Sequence, residues 1–177
     1  MQKPMPLIRF ISLRIASILL LLFTYSCEKS NDHFISTVNN TDKLICIFFD
    51  SRYPSDSLSV IKCLSHNKPD IVFPYSSDHF TYWGTGKPNS WYLFYEEASY
   101  YDGYISIYIG EIDLDFYESS FNERGFPEIN FEVPVIARYD IRKKNIESLN
   151  WVISFPPTEE MKDIHMWPPY EQIVQSY

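Results

Sequence analysis

The sequence predicts a mainly β fold, a single antiparallel β-sandwich-like domain with one or two short helices. Tyr, Phe and Trp make up 18% of the 177 residues, and aromatic residues favour strands. Short segments with strand character recur along the chain and are separated by turn-rich stretches. This pattern is typical of packed sheets rather than of a helical bundle.

The first two predicted strands are FISTV (34–38) and KLICIFFD (43–50). The turn-rich tetrapeptide NNTD lies between them and predicts a hairpin. Apolar residues occupy both faces of the second strand, so we expect it in the interior of a sheet. Weaker strand patterns follow in SVIKCLS (59–65) and DIVFPYS (70–76).

Two further strands are predicted around a turn at Tyr101-Asp102-Gly103. They are SWYLFYEEA (90–98) and GYISIYIG (103–110). The second has the clearest period of two in the chain, because three isoleucines alternate with tyrosine and serine. Alternation of this kind indicates a strand whose two faces meet different surroundings.

The C-terminal part predicts a long strand, a helix and a last strand. FEVPVIARYD (131–140) should place every odd-numbered residue on one side, and Pro134 indicates an edge strand because it cannot donate a ladder hydrogen bond. Asp140 is the expected cap of a short helix over 142–149. WVISF (151–155) is the expected last strand.

The N-terminal apolar run, Ile15–Phe23, is too short to cross a membrane, since a spanning helix needs about 20 apolar residues. Basic residues precede it, as in a signal peptide. Cleavage after Ser26 would remove residues 1–26 and leave Cys27 first. We therefore expect a tether over 27–33 and a β-rich domain over 34–177.

A cysteine at this place resembles the lipobox of bacterial lipoproteins, in which the thiol receives a diacylglycerol, with fatty acyl chains such as palmitate, before cleavage. The third position before Cys27 is usually Leu and is Thr24 here. The expectation is an outer-membrane lipoprotein of the cell envelope, facing the periplasm or the cell surface. The alternative is an ordinary secretory peptide followed by a chance cysteine.

Charge restricts the partners of the mature chain. The predicted signal peptide contains three of the 15 basic residues and none of the 23 acidic ones, so 12 basic and 23 acidic residues remain, a net charge of −11. This balance argues against nucleic acid or an anionic lipid surface as the main partner. The predicted membrane contact is the N-terminal lipid, and a protein or a glycan remains open as the further partner.

Cys46 and Cys63 form an even pair once Cys27 bears lipid, and in an oxidising compartment they are candidates for a disulfide. The alternative is two buried free thiols, which pack as small apolar side chains. The chain has no CxxC or Cys/His spacing typical of zinc. The acidic stretch 111–123 lacks the glycine and glutamate of a calcium loop, so no metal and no cofactor are predicted.

The C-terminal third, VIARYDIRKKNIESLNWVISFPPTEEMKDIHMWPPYEQ (135–172), resembles the closing segment of a family of small Bacteroidales lipoproteins. The stretches 39–57 and 105–114 are similar to the opening hairpin and the central strand of that family. The family has no known activity, so the resemblance implies no catalytic residue and gives a role only to Cys27, as lipid acceptor. The matching residues are Arg138, Tyr139, Asp140, Asn150, Trp151, Ile153, Pro156, Pro157, Glu159, Met161, Lys162, Asp163, Pro168, Pro169 and Tyr170.

Aromatic residues are dense over 73–108, and those in predicted loops are candidates for ligand binding. Flat sugar faces lie well on exposed rings, and a nearby carboxylate can accept from hydroxyl groups. The candidate residues are Tyr82, Trp83, Tyr100, Tyr101 and Asp102. The competing interpretation is that most of these rings belong to the core or to cross-strand pairs.

The expected function is therefore a non-enzymatic binding or structural module, anchored by lipid in the cell envelope. A carbohydrate-binding accessory lipoprotein is the alternative, and a small hydrolase is a more distant one. Glu96 and Glu97 are adjacent, so in the predicted strand they would point to opposite faces and could not form a glycosidase pair. No sequence signature of nucleophilic catalysis is present.

Overall fold

A computed structural model describes residues 34–52, 58–65, 69–80 and 90–177, all within one compact unit. These residues form a mainly β fold, which confirms the predicted class. The described strands are β1 (Ile35–Asn39), β2 (Leu44–Asp50), β3 (Val60–Cys63), β4 (Asp70–Val72), β5 (Ser76–Phe80), β6 (Tyr104–Ile112), β7 (Phe131–Arg142), β8 (Val152–Phe155) and β9 (His165–Trp167). The described α-helices are α1 (Ser90–Ala98), α2 (Leu114–Ser120), α3 (Lys143–Ser148) and α4 (Tyr170–Ser176), with a 3-10 turn at Glu159–Met161.

The larger of two sheets is antiparallel and curled, with the strand order β3-β7-β6-β2-β4. The long strand β7 pairs with β6 on one side. On its other side it pairs with β3 through its first residues and with β9 through residues 138–140. The second sheet has the order β5-β1-β8, and β8 runs parallel to β1.

The main core lies on one face of the large sheet, which we call the inner face. Isoleucines at 105, 107 and 109 of β6 lie there with Tyr139 of β7 and with β1, β8 and α1. Burying such side chains contributes about 1.5–3 kcal/mol each. Among the described helices, none is long and apolar enough to span a membrane.

The opposite, outer face of the large sheet has two halves. In the apolar half, Leu44, Cys46 and Tyr108 pack with Ile61 of β3 and with Phe116 of α2. The other half, toward Asp50 and Ser106, carries polar side chains and is bordered by exposed rings. We call it the polar half.

A bulge in β7 decides which residues reach the outer face. Ile109 pairs with Ala137 but Gly110 pairs with Val135, so Ile136 is an extra residue in the ladder. Val133 therefore packs on the outer face while Tyr139 packs in the inner core. The prediction that all odd-numbered residues of 131–140 share one side is wrong, because the bulge reverses the alternation.

The edge position predicted for β7 is also wrong, because β7 has partners on both sides. Pro134 is tolerated where the β6–β7 ladder ends at Gly110. The Val135 amide donates to the Ser59 carbonyl on the β3 side, so an amide at position 134 would point the other way. The missing N–H of Pro134 thus falls where β6 no longer pairs.

The predicted hairpin between the first two strands is wrong, since β1 and β2 lie in different sheets. Asn39 makes the corner: its side-chain amide lies 2.7 Å from the Lys43 carbonyl and 3.1 Å from that of Val72. Its Oδ1 accepts from the Thr41 amide and hydroxyl, at 3.0 and 2.8 Å. These bonds replace the turn that a hairpin would use.

The stretch 90–98 is a helix rather than the predicted strand. Trp91, Phe94, Tyr95 and Ala98 are buried, and their spacing of three and four is that of one helical face. The aromatic composition outweighed this periodicity in the sequence-based prediction. The turn at 101–103 is confirmed, but it joins α1 to β6.

The end of the chain differs from the prediction in two ways. The helix expected over 142–149 is present as α3, yet its N-cap residue is Arg142 and Asp140 remains inside β7. The strand β8 is not the last strand, because β9 follows it and extends the large sheet along β7.

Candidate functional site

Three adjacent rows of side chains cross the polar half. The first is Phe48, Tyr108, Arg138 and Trp167, the second is Asp50, Ser106, Asp140 and His165, and the third is Tyr104 and Arg142. Residues paired across neighbouring strands project from the same face, so the register alone assembles these rows. Four separate strands, β2, β6, β7 and β9, contribute to them.

Asp140 is at the centre of the second row, and its side chain is fully buried. One carboxylate oxygen accepts from the Ser106 hydroxyl at 2.7 Å. The other lies 2.7 Å from His165 Nδ1 and 3.1 Å from Arg138 Nη2. A buried carboxylate is stable only when such partners replace its water shell.

Asp50 begins the same row and is buried, but its partner reaches solvent. Arg52 donates from Nε to Oδ1 at 3.0 Å and from Nη2 to Oδ2 at 3.1 Å, and its backbone amide donates to Oδ1 at 2.9 Å. The hydrogen bonds to Asp50 raise the pKa of Arg52, and the nearby Tyr101 and Glu97 act in the same direction.

Arginine is concentrated here: three of the four arginines in the described residues, Arg52, Arg138 and Arg142, belong to this half. The Arg142 guanidinium lies over the Tyr104 ring, 4.3 Å from its centroid. Arg138 Nε is buried without a hydrogen-bond partner. These cations stand out in a chain whose predicted mature net charge is −11.

Aromatic rings border the polar groups. Trp167 is 55% exposed and Phe48 39% exposed, at the two ends of the first row, and Tyr101 is 45% exposed in the turn that leads into Tyr104 of the third row. Tyr108, between them, is buried; burial raises its pKa, although Arg138 and hydrogen bonds with Leu58 and Ser106 act in the opposite direction. The surface thus combines open rings with charged donors.

The second row contains the three residue types of a catalytic triad, Ser106, Asp140 and His165. Here, however, the carboxylate lies between the hydroxyl and the imidazole. The hydroxyl donates to the carboxylate, and the imidazole contacts the same carboxylate from the other side. In a triad the imidazole must contact the hydroxyl in order to take its proton. This arrangement holds the groups in place but does not activate Ser106.

The structure brings part of the predicted binding set to this site. Tyr100, 83% exposed, Tyr101 and Asp102 form the turn before β6, and Asp102 adopts a positive φ of 47° there. Tyr82 and Trp83 lie outside the described residues, as does Cys27. Other rings of the aromatic-rich segment, Trp91, Phe94, Tyr95 and Tyr108, are buried in the two cores.

Cys46 and Cys63 meet in the apolar half. Both thiols are free and buried, and their sulfur atoms lie 3.9 Å apart. The contact with Cys63 and burial raise the pKa of the Cys46 thiol. Among the described residues, no group of three or more His, Cys, Asp or Glu side chains is placed to hold a metal ion.

No sequence pattern predicts the rows themselves. The sequence predicts Asp140 as a helix cap, and no motif links it to His165. The signal that could have found them is the register of β6 against β7, but the bulge at Ile136 shifts it by one residue. If strict alternation is assumed along β7 without the bulge, Arg138 is assigned to the wrong face and to the wrong residue of β6.

No family model, curated protein or solved structure matches the chain. The resemblance to Bacteroidales lipoproteins therefore stays a prediction from the motifs quoted above. Function has to be argued from the site itself.

Proposed function

We propose that the mature protein is a lipid-anchored, non-enzymatic binding module of the cell envelope, and that it contacts its ligand through the polar half. The observation that carries the proposal is the combination of rows: open rings of Trp167, Phe48 and Tyr101 beside charged groups fixed by buried bonds. Sites that recognise ligands commonly join apolar area to a few placed polar groups.

The fixed geometry supports binding rather than catalysis. Asp140 is hydrogen-bonded to Ser106 and His165 and ion-paired with Arg138, and Asp50 accepts three hydrogen bonds from Arg52, so both carboxylates are engaged in holding the sheet face. A general acid or base must exchange its proton with the substrate, and a carboxylate with such partners is poorly suited to that. Rigid placement, in contrast, lowers the entropy cost of binding.

The anchor is tested by fractionation of cells that produce the full chain. The expected result is a protein that partitions with detergent, begins at Cys27 and carries acyl chains by mass spectrometry. The Cys27→Ala variant should lose the acyl chains and partition with water. A wild-type chain intact from Met1 with an unmodified thiol at position 27 would contradict the anchor.

Carbohydrate recognition is the second candidate, and the exposed rings favour it. Trp167 is the most exposed ring of the three rows, and Trp commonly anchors interfaces through its large apolar area. On a glycan array, Trp167→Ala should lose binding that wild type shows. Tyr75→Ala is the matched control, since Tyr75 is exposed on a turn bonded to Thr41, at the far end of β2.

A further inference from the structure

We infer that the ligand of the polar half is an acidic saccharide, one that carries carboxylate groups on sugar rings. The inference rests on the proposed binding role of this surface and names the class of ligand. Three features of the polar half support it: its buried carboxylates are already engaged, exposed arginines have free N–H groups, and exposed aromatic rings lie on the same surface.

The two buried carboxylates of the site are already engaged with side chains of the protein. Both oxygens of Asp140 accept from side chains of the site, and both oxygens of Asp50 accept from Arg52. A ligand that offered mainly donors would have to displace these bonds, and breaking a buried charged pair is costly. The two carboxylates therefore organise the surface and leave little to accept from a ligand.

The groups that face outward are donors. A guanidinium has five N–H groups, and Arg52 uses two of them on Asp50 while its side chain is 63% exposed. Arg142 is exposed over the Tyr104 ring. Arg138 is largely buried and is engaged with Asp140. The two exposed guanidinium groups fit the planar, two-oxygen shape of a carboxylate.

Local charge points to the same class of ligand. Arg52 is paired with Asp50 and Arg138 with Asp140, whereas Arg142 has no carboxylate partner among the described residues and is the unpaired cation of the polar half. The predicted mature chain has a net charge of −11. A carboxylate on the ligand would be repelled by most of the molecule and attracted to Arg142, which gives orientation as well as affinity.

The rings decide between an acidic saccharide and an acidic peptide. Trp167 is exposed and pairs with Arg138 across β9 and β7, and Tyr101 is exposed in the turn that leads into Tyr104, the ring under Arg142. The flat C–H face of a pyranose can lie on such rings while its carboxylate reaches a guanidinium. A polyglutamate chain has carboxylates of the same charge but no ring face. The aromatic border thus favours the saccharide.

The test measures affinity of the full-length chain, purified in detergent, for oligomers of galacturonate and of mannuronate. The matched ligands are the fully methyl-esterified oligogalacturonate, which keeps the sugar and loses the charge, and a polyglutamate of similar length. We expect binding of the free acids, weaker binding at higher salt, and little binding of the ester or the peptide.

Two variants and a control locate the site. Arg142→Gln should weaken binding about ten- to hundredfold, the usual range for a charged hydrogen bond, and Trp167→Ala about three- to tenfold. Arg124→Gln, the same charge change at the one described arginine outside the polar half, should leave affinity unchanged. Thermal unfolding of each variant checks that the fold is intact.

Each other outcome overturns the inference. Equal binding of ester and acid would show a neutral saccharide site, and the proposed binding role would survive if Trp167→Ala still weakened that binding. Equal binding of polyglutamate, unaffected by Trp167→Ala, would show an acidic peptide site. Absence of binding to both acids, or a loss in Arg124→Gln equal to that in Arg142→Gln, would refute an acidic saccharide at this surface.

Discussion

The apolar half and the polar half of the outer face share the strands β2, β6 and β7, yet different interactions hold their buried centres. In the apolar half, β3 and α2 close over Leu44, Cys46 and Ile112. In the polar half the same strands present Ser106 and Asp140, which are also buried and are held by hydrogen bonds and an ion pair. A sheet face can thus be completed by packing or by paired charges.

The largest effect is expected from Asp140→Asn. The change leaves the largely buried Arg138 without its carboxylate, and removal of one member of a buried pair costs about 3–5 kcal/mol. Asp50→Asn is the control in the same row; its partner Arg52 is mostly in solvent, so we expect about 1 kcal/mol or less. Urea unfolding of both variants measures the difference, and equal losses would contradict the contrast between the two carboxylates.

The next prediction concerns the apolar half, where Cys46 and Cys63 could be joined. Folding in the presence of oxidised glutathione should form a disulfide between them, with both thiol protons released and the glutathione disulfide reduced. Both sulfurs are buried, so the bond should form during folding and only slowly in the folded protein.

A loop of this length predicts about 3 kcal/mol of added stability. Unfolding with and without reductant measures it, and Cys63→Ala should abolish the difference. If the oxidised preparation still shows two reactive thiols after denaturation, the predicted disulfide is refuted.

The border between the halves is tested by Gly110→Ala. A Cβ at this position would lie 2.5 Å from Val133 Cγ1 and 2.8 Å from the Pro134 carbonyl oxygen. Overpacking of this kind costs about 1–3 kcal/mol. The double variant with Val133→Ala should recover only part of the loss, since the backbone contact remains. Thermal unfolding of wild-type stability would show that β6 and β7 are not held this closely.

The smallest effect is expected from Tyr139→Phe, next to Asp140 but on the inner face. The Tyr139 hydroxyl is buried without a partner, so its removal should stabilise the protein by about 1 kcal/mol. Burial also raises the pKa of Tyr139 above that of an unfolded tyrosine, about 10. Above that pH the unfolded chain loses the Tyr139 proton while the folded chain keeps it, so the folded state of wild type becomes less stable as the pH rises.

The advantage of the variant should therefore grow as the pH rises above about 10, which urea unfolding at neutral and alkaline pH can measure. A destabilised Tyr139→Phe protein would show that the hydroxyl has a partner. Together with Asp140→Asn, this variant compares an unpaired and a paired buried polar group on neighbouring residues.

Local patterns predicted the strands better than their partners. Periodicity located β1, β2, β3, β4, β6, β7 and β8 to within a few residues, because alternation is a local property. It did not give the partners of β1 and β2, which depend on the side-chain bonds of Asn39. The helix α1 was missed because its residues combine strand-forming composition with helical spacing.

The candidate site was less accessible to prediction than the fold. Its members come from β2, β6, β7 and β9, and they meet only through pairing over long sequence separations. Tyr101 and Asp102 are predicted ligand-binding candidates, and they lie in the turn that leads into Tyr104 of the third row. Asp140 and His165 could not be linked without the register, and the bulge obscures the register from the sequence.

The extra residue Ile136 lets β7 place polar side chains on the outer face in one half and apolar side chains there in the other. Before it, the odd-numbered side chains face outward; after it, the even-numbered ones do. Deletion of this one residue would point Arg138 and Asp140 toward the inner hydrophobic core and Tyr139 toward the outer face. The charged character of the exterior is thus set by the length of the chain at one point, as well as by the side chains displayed there.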